Sequence, residues 1–198
     1  MQQITISLKA LLQLIPFCSQ DKNKYVLNGI RVIDTEINKK FYRIYEATDG
    51  TKLARIYKKI DKIELEKEII LLKDDIKKIP KTKYTDVICD IDKSKHRVEI
   101  LQTLIEDIDA LYPNTQSILD YSISISKQFI KNDKFYYIRG TNIETIERFF
   151  NDGQKLSLKT KYVELNAILS SQYIKEKTKM LGYFDTKNNK QVVVMPIG

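Results

Sequence analysis

At 198 residues, 42% hydrophobic and 30% charged, the chain can bury one large core or two small ones and has an ordinary globular composition. No apolar run is long enough to span a bilayer and the N-terminus lacks a signal-peptide layout, so a cytoplasmic protein without a membrane partner is expected. Lys+Arg 34 against Asp+Glu 26 leaves a charge of +8; this favours a polyanionic partner, although a lysine-rich compositional bias gives the same excess.

Ile4-Thr5-Ile6 alternates as a short strand. Leu8, Leu11, Leu12 and Ile15 then fall on one face of an amphipathic helix, with Ser7 as its N-cap and Pro16 at its closing turn. Gln20 to Lys24 is a polar loop. Leu27 to Asp34 and Phe41 to Ala47 read as strands around an Asn38-Lys39-Lys40 turn. Thr48-Asp49-Gly50 is a tight turn, because Asp closes an Asx turn on its own backbone and Gly accepts a positive φ. Lys52 to Ile60 follows as a strand, then Lys67 to Leu71. Leu72, Ile76 and Ile79 predict a short helix stopped by Pro80, with Asp74 and Asp75 in its first turn and Lys77 and Lys78 in its last. Tyr84 to Cys89 and Arg97 to Leu101 are further strands, and Asp109 to Ser117 a loop around Tyr112-Pro113-Asn114.

In the second half, Ser122 to Phe129, Phe135 to Ile138, Thr145 to Phe150 and Leu156 to Lys159 read as strands, with a turn at Asn151-Asp152-Gly153. Tyr162, Leu165, Ile168 and Leu169 give the face of a helix from Lys161 to Ser170. Met180 to Phe184 and Gln191 to Met195 are the last strands, joined by an Asn-Lys-rich turn.

Three motifs recur in a telling order: Asn28-Gly29; Ala47-Thr48-Asp49-Gly50-Thr51-Lys52-Leu53-Ala54; and a terminal Val194-Met195-Pro196. Together they resemble the bacterial sliding clamp, the beta subunit of DNA polymerase III. Glu68 to Lys73 sits where the family's middle domain enters its second helix, and Tyr112-Pro113 with Ile118-Leu119 where that domain ends. Residues 1–120 are similar to that middle domain and 121–198 to a shortened last domain, with the family's first domain absent. The resemblance implies an α+β, DNA-clamp-like fold: two domains of antiparallel sheet with amphipathic helices on one face, the second domain truncated. Thr51 stands where the family usually has histidine, Asp120 where it commonly has proline, and Pro196-Ile197-Gly198 ends where it usually adds a basic residue and a leucine.

The family takes short peptides of polymerases, clamp loaders and repair proteins in a pocket between these domains. By matching position its walls here are Leu27, Thr48, Gly50, Thr51, Lys52, Leu53, Val193, Val194, Met195, Pro196 and Ile197. Aliphatic walls and a flexible Met suit apolar anchors, although Leu27, Leu53 and Val193 also read as plain core. The resemblance further implies sequence-independent contact with double-stranded DNA through Lys22, Lys24, Tyr25, Lys73, Lys77 and Lys161; most lysines of such a chain are solvated surface. A homo-oligomer is possible. A ring of two-domain chains closes as a trimer, but with one helix expected in the second domain against two in the first, a monomer or weak oligomer is favoured.

No chemistry of its own is expected. Cys18 and Cys89 are isolated and read as buried thiols, and His96 has no partner in a recognisable arrangement. Asp74-Asp75 and Asp90-Asp92 read as a helix start and a hairpin, and no phosphate-binding Gly-rich loop or metal-ligand spacing occurs, so no catalytic residue, metal or cofactor is assigned. The function implied is tethering in DNA replication or repair. The alternative is a free-standing adaptor that keeps the peptide pocket and does not encircle DNA.

Overall fold

Ile4 and Ile6 point inward and Gln3 and Thr5 outward, so the first strand, β1 (Gln2–Ser7), carries one apolar face. The computed structural model describes residues 2–119, 135–136, 145–149, 155–159, 173–175, 181–185 and 190–194. The chain divides into two compact units, 1–113 and 114–198.

In the first unit, helix α1 (Leu8–Leu14) starts on the Ser7 hydroxyl, which accepts from Ala10 N at 3.4 Å. It runs into a 3-10 turn at Ile15–Phe17 that contains Pro16. The helix buries Leu8, Ala10, Leu11 and Leu14. Leu12, expected on the inner face, is 53% exposed, because a helix this short turns the i+4 position away once Leu11 and Leu14 face the sheets. Strand β2 (Gly29–Ile37) pairs with β3 (Lys40–Thr48) across Asn38 and Lys39, both at positive φ as a two-residue hairpin turn requires. Strand β4 (Lys52–Ile60) pairs with β3, and β5 (Ile69–Leu72) lies on the other side of β2.

A second, four-stranded antiparallel sheet runs β1-β6-β7-β8, with β6 (Asp86–Asp92), β7 (Arg97–Ile100) and β8 (Thr103–Glu106). Strand β8 was not expected from the sequence. Its hairpin turns on Leu101 and Gln102, both at positive φ without a glycine or asparagine to announce it. Asp107 ties this sheet to β5: it bridges to Leu71, and its Oδ1 accepts from Ile70 N at 2.9 Å.

Helix α2 (Lys73–Ile76) is a single turn, shorter than the expected span from Leu72 to Ile79. The N–H groups of Lys78 and Ile79 turn back three residues, to Asp75 and Ile76 carbonyls, and Pro80 prevents continuation. Leu27 is likewise not in a strand: Tyr25–Asn28 forms a 3-10 turn and β2 begins at Gly29. A Cβ on Gly29 would meet Ile70 Cγ2 at 2.5 Å, so glycine is what lets β2 approach β5.

One buried ion pair ties neighbouring strands β2 and β3, and its arginine also reaches the second sheet. Arg43 on β3 is 1% exposed and donates to both carboxylate oxygens of Asp34 on β2, at 2.7 and 2.8 Å. It also reaches Glu64 at 2.9 Å and donates to the Thr5 carbonyl on β1. Asp34 in turn accepts from the N–H groups of Glu64 and Leu65, at 2.9 and 3.0 Å.

In the second unit, residues 116–119 are helical, so the loop expected from Asp109 to Ser117 gives way to helix two residues early. Strands β9 (Phe135–Tyr136), β10 (Thr145–Phe149) and β11 (Lys155–Lys159) form one antiparallel sheet. Strands β12 (Tyr173–Lys175), β13 (Leu181–Asp185) and β14 (Lys190–Val194) pair antiparallel beside one another, β12 being a further strand the periodicity did not announce. The expected strand at 122–129, the turn at 151–153 and the helix at 161–170 lie outside the described residues.

Replacing Arg43 by Met removes one partner and leaves Asp34 buried. Urea unfolding should show a loss of about 3–5 kcal/mol, the usual cost of breaking a buried pair. A loss under about 1 kcal/mol would mean that Arg43 and its bonds to Asp34, Glu64 and Thr5 do not hold this part of the fold together.

Candidate functional site

The turn between β3 and β4 is built almost wholly by its own side chains. Asp49 Oδ1 accepts from Thr51 N at 2.9 Å, Thr51 Oγ1 at 2.8 Å and Lys52 N at 3.0 Å. The Thr48 hydroxyl donates to the Lys52 carbonyl at 2.7 Å and accepts from Gly50 N at 3.1 Å. Gly50 takes φ +91°, with open space where a Cβ would stand. Asp49 Oδ2 pairs with the Lys52 ammonium at 2.9 Å. Burial alone would push the Asp49 carboxyl up, but the bonds from Lys52 and Thr51 hold it below the usual carboxylate range.

Thr48, Lys52 and Leu53 are buried, Gly50 and Thr51 exposed, and Leu27 half-buried. Val193 and Val194 lie on β14, whereas Met195, Pro196 and Ile197 fall outside the described residues, as does Lys161.

The basic loop lies before Leu27. Lys22 and Lys24 are exposed. Tyr25 is 45% exposed and its hydroxyl donates to Glu106 at 2.9 Å. Burial and then the Glu106 carboxylate raise its phenol above the ordinary range. Two of the expected phosphate contacts are otherwise engaged. Lys73 is 5% exposed, and its ammonium donates inward to the Ser19 carbonyl and to Gln20 Oε1 at 3.5 Å. Its place at the start of α2, beneath the loop, lets the ammonium reach these oxygens. Lys77 is half-exposed but paired with Asp74 at 2.7 Å.

A cleft of about 450 Å³ elsewhere in the first unit has Arg43 and Tyr45 in its lining and Lys58, Lys59 and Lys62 around them. The Tyr45 hydroxyl accepts from Ser7 N at 2.8 Å, so this floor already serves the contact between β1 and β3. Among the described residues no group of His, Cys, Asp or Glu could hold a metal, and no helix is long and apolar enough to cross a membrane. Burial pushes both thiols, Cys18 and Cys89, up to about 12, so neither offers a thiolate nucleophile at neutral pH.

No protein-family model matches the sequence, and a search of curated proteins finds no match either. Solved structures do match. The Caulobacter crescentus DNA polymerase sliding clamp superposes with a TM-score of 0.64 over 99% of this chain and 65% of its own, at 12% identity. The Bartonella birtlesii clamp, solved bound to griselimycin, gives 0.64 over 100% and 66% at 16% identity. A DNA polymerase III beta subunit from Eubacterium rectale gives 0.66 over 100% and 66% at 14% identity. The fold is that of the bacterial sliding clamp. The chain spans 65–66% of the length of these clamps.

Within this clamp fold two residues matter that pattern reading did not single out as site residues. Asn28, seen only as half of an Asn-Gly motif, sends its amide back to the Asp21 and Lys24 carbonyls at 2.9 and 3.2 Å. Arg43 opens a run of β3, residues 43–48, that is buried throughout, so no in-and-out alternation marked it as a charged residue facing the interior.

The lowered Asp49 carboxyl stabilises the folded turn at neutral pH. This contribution is complete above about pH 4, the ordinary carboxylate value, and is lost as pH falls through the lower folded value. Asp49→Asn should therefore be less stable than wild type by about 1 kcal/mol at pH 7, and the gap should close in acid. A gap that stays constant down to strong acid would contradict the Asp49–Lys52 pairing.

Proposed function

We propose that this chain is a sliding-clamp-like tethering factor that binds short peptides of replication or repair proteins and contacts duplex DNA without reading its sequence. The observation that carries the reading is the likeness of the clamp fold over 99–100% of this chain, joined to the ordered motifs at Asn28-Gly29, Thr48 to Leu53 and Val194 to Pro196. In this reading residues 1–120 correspond to a clamp's middle domain and 121–198 to a shortened last domain. The turn supports a peptide role physically. Its cross-bonds from Asp49 and Thr48 preorganise the exposed backbone of Gly50 and Thr51, so a bound peptide does not have to order it. By matching position to the family, the groove residues of this reading are Leu27, Thr48 and Gly50 to Leu53 in the first unit and Val193 to Ile197 in the second.

The work is tethering, with no bond made or broken. Lys22 and Lys24 supply phosphate contacts, which fix no sequence and permit sliding. One observation favours a second reading, the adaptor that keeps the peptide groove but does not encircle DNA: Lys73 is turned inward and Lys77 is neutralised by Asp74, which thins the free charge on that helix.

A peptide carrying a Gln and two apolar anchors should bind with micromolar affinity, about −8 kcal/mol. Met195→Ala should weaken it about tenfold or more, as loss of an anchor wall does, while leaving the thermal midpoint near wild type. Thr51→Trp, which blocks the exposed lip of the turn, is the companion variant. Unchanged titrations for both variants would remove the groove. Light scattering on circular duplex DNA separates the two readings: retention on circles with loss from linear DNA supports encirclement, and peptide binding without it supports the adaptor.

A further inference from the structure

The loop that carries Lys22 and Lys24 is held from two sides by buried side chains. Its own backbone is already tight: Lys24 O accepts from the N–H groups of Leu27 and Asn28 at 2.9 and 3.1 Å, and Lys24 N donates to Asp21 O at 3.0 Å. Asn28, 8% exposed, adds its side-chain amide to Asp21 O and Lys24 O. From the other side comes the Lys73 ammonium, bonded to Ser19 O and Gln20 Oε1. Lys73 makes no ion pair with a carboxylate among the described residues. A long, flexible cation buried at 5% exposure on neutral oxygens is unusual. What it obtains there is a fixed path for residues 19–24.

We propose that Lys73 and Asn28 are positioning residues for duplex contact: they hold the 19–24 loop so that Lys22 and Lys24 meet phosphates without first being ordered. The inference rests on the tethering reading above and assigns the division of labour within it. Lys22 and Lys24 touch the phosphates, and Lys73 acts through the loop rather than by contact.

The salt dependence of duplex binding separates these roles. Each phosphate neutralised by a lysine contributes about 0.9 to the slope of log affinity against log salt. Lys22→Ala with Lys24→Ala should therefore lower the slope by close to two contacts. Lys73→Met should lower affinity about tenfold, the order expected when a residue or two of backbone must be re-fixed at each binding event, with the slope unchanged. Hydrogen exchange should quicken at residues 19–24 and stay as in wild type on β1 and β6. Asn28→Ala should behave in the same way and carries the test if Lys73→Met does not fold. In the Lys22→Ala, Lys24→Ala background, Lys73→Met should have little further effect on DNA binding.

A slope reduced by about one contact in Lys73→Met would make Lys73 a direct phosphate ligand and overturn the proposal. Wild-type affinity in both Lys73→Met and Asn28→Ala, or losses that simply add to those of Lys22→Ala and Lys24→Ala, would also overturn it while leaving tethering intact. A wild type that shows no salt-dependent duplex binding would overturn the tethering reading and this inference with it.

Discussion

A guanidinium and a carboxylate withdrawn from water must satisfy each other almost completely, and the first unit is arranged around one such requirement. Arg43 and Asp34 have side chains 1% and 0% exposed. Two parallel bonds between them use the planar fork of arginine on the carboxylate. The remaining capacity goes to Glu64, to the Thr5 carbonyl and to the N–H groups of Glu64 and Leu65. Every one of these bonds crosses between elements: β3 to β2, β3 to β1, β2 to the segment after β4. Hydrophobic burial is non-directional and would tolerate small slips between the sheets. The directional bond from Arg43 to the Thr5 carbonyl does not, because Asp34 holds the guanidinium in place on one sheet while β1 of the other accepts from it.

This fixed frame carries two surface features of different construction. The Thr48–Lys52 turn is self-contained, its geometry supplied by the Asp49 and Thr48 side chains within five consecutive residues. The 19–24 loop has an Asx turn of its own, Asn23 N to Asp21 Oδ1 at 2.9 Å, but its path depends on Asn28 and on Lys73, which is 54 positions away from Ser19 in sequence. A turn of the first kind survives change in its surroundings. A loop of the second kind depends on the packing of α2 beneath it.

Lysine abundance in this chain therefore conceals several distinct environments. Lys52 is buried against Asp49, Lys73 against carbonyl oxygen, Lys77 and Lys78 are tied to Asp74 and Asp75 three residues before each, and Lys93 reaches Asp107. Exposed i,i+3 pairs of this sort contribute little stability, yet they cancel charge locally. A net excess of +8 says little about where an anion is attracted until such pairs have been set aside.

Features under local chemical control are legible in the order of residues alone. The strands β2 to β4, the Ser7 helix start and the Asp49-Gly50 turn could be read from residue types at short spacing, because each depends on neighbours within a few positions; the clamp fold was legible only as a resemblance carried by three motifs in order along the chain. Tertiary structure decided the rest. Leu12 faces out because a seven-residue helix offers the sheets a narrow stripe. Strand β8 follows a Leu101-Gln102 turn whose positive φ values no residue type advertises. Leu27 belongs to a 3-10 turn because the Lys24 carbonyl gathers the donors around it. Lys73, periodic with an exposed helix face in sequence, points inward because a carbonyl 54 positions earlier lies within its reach. The side chain's identity permitted either direction, and only the packing of distant segments chose between them.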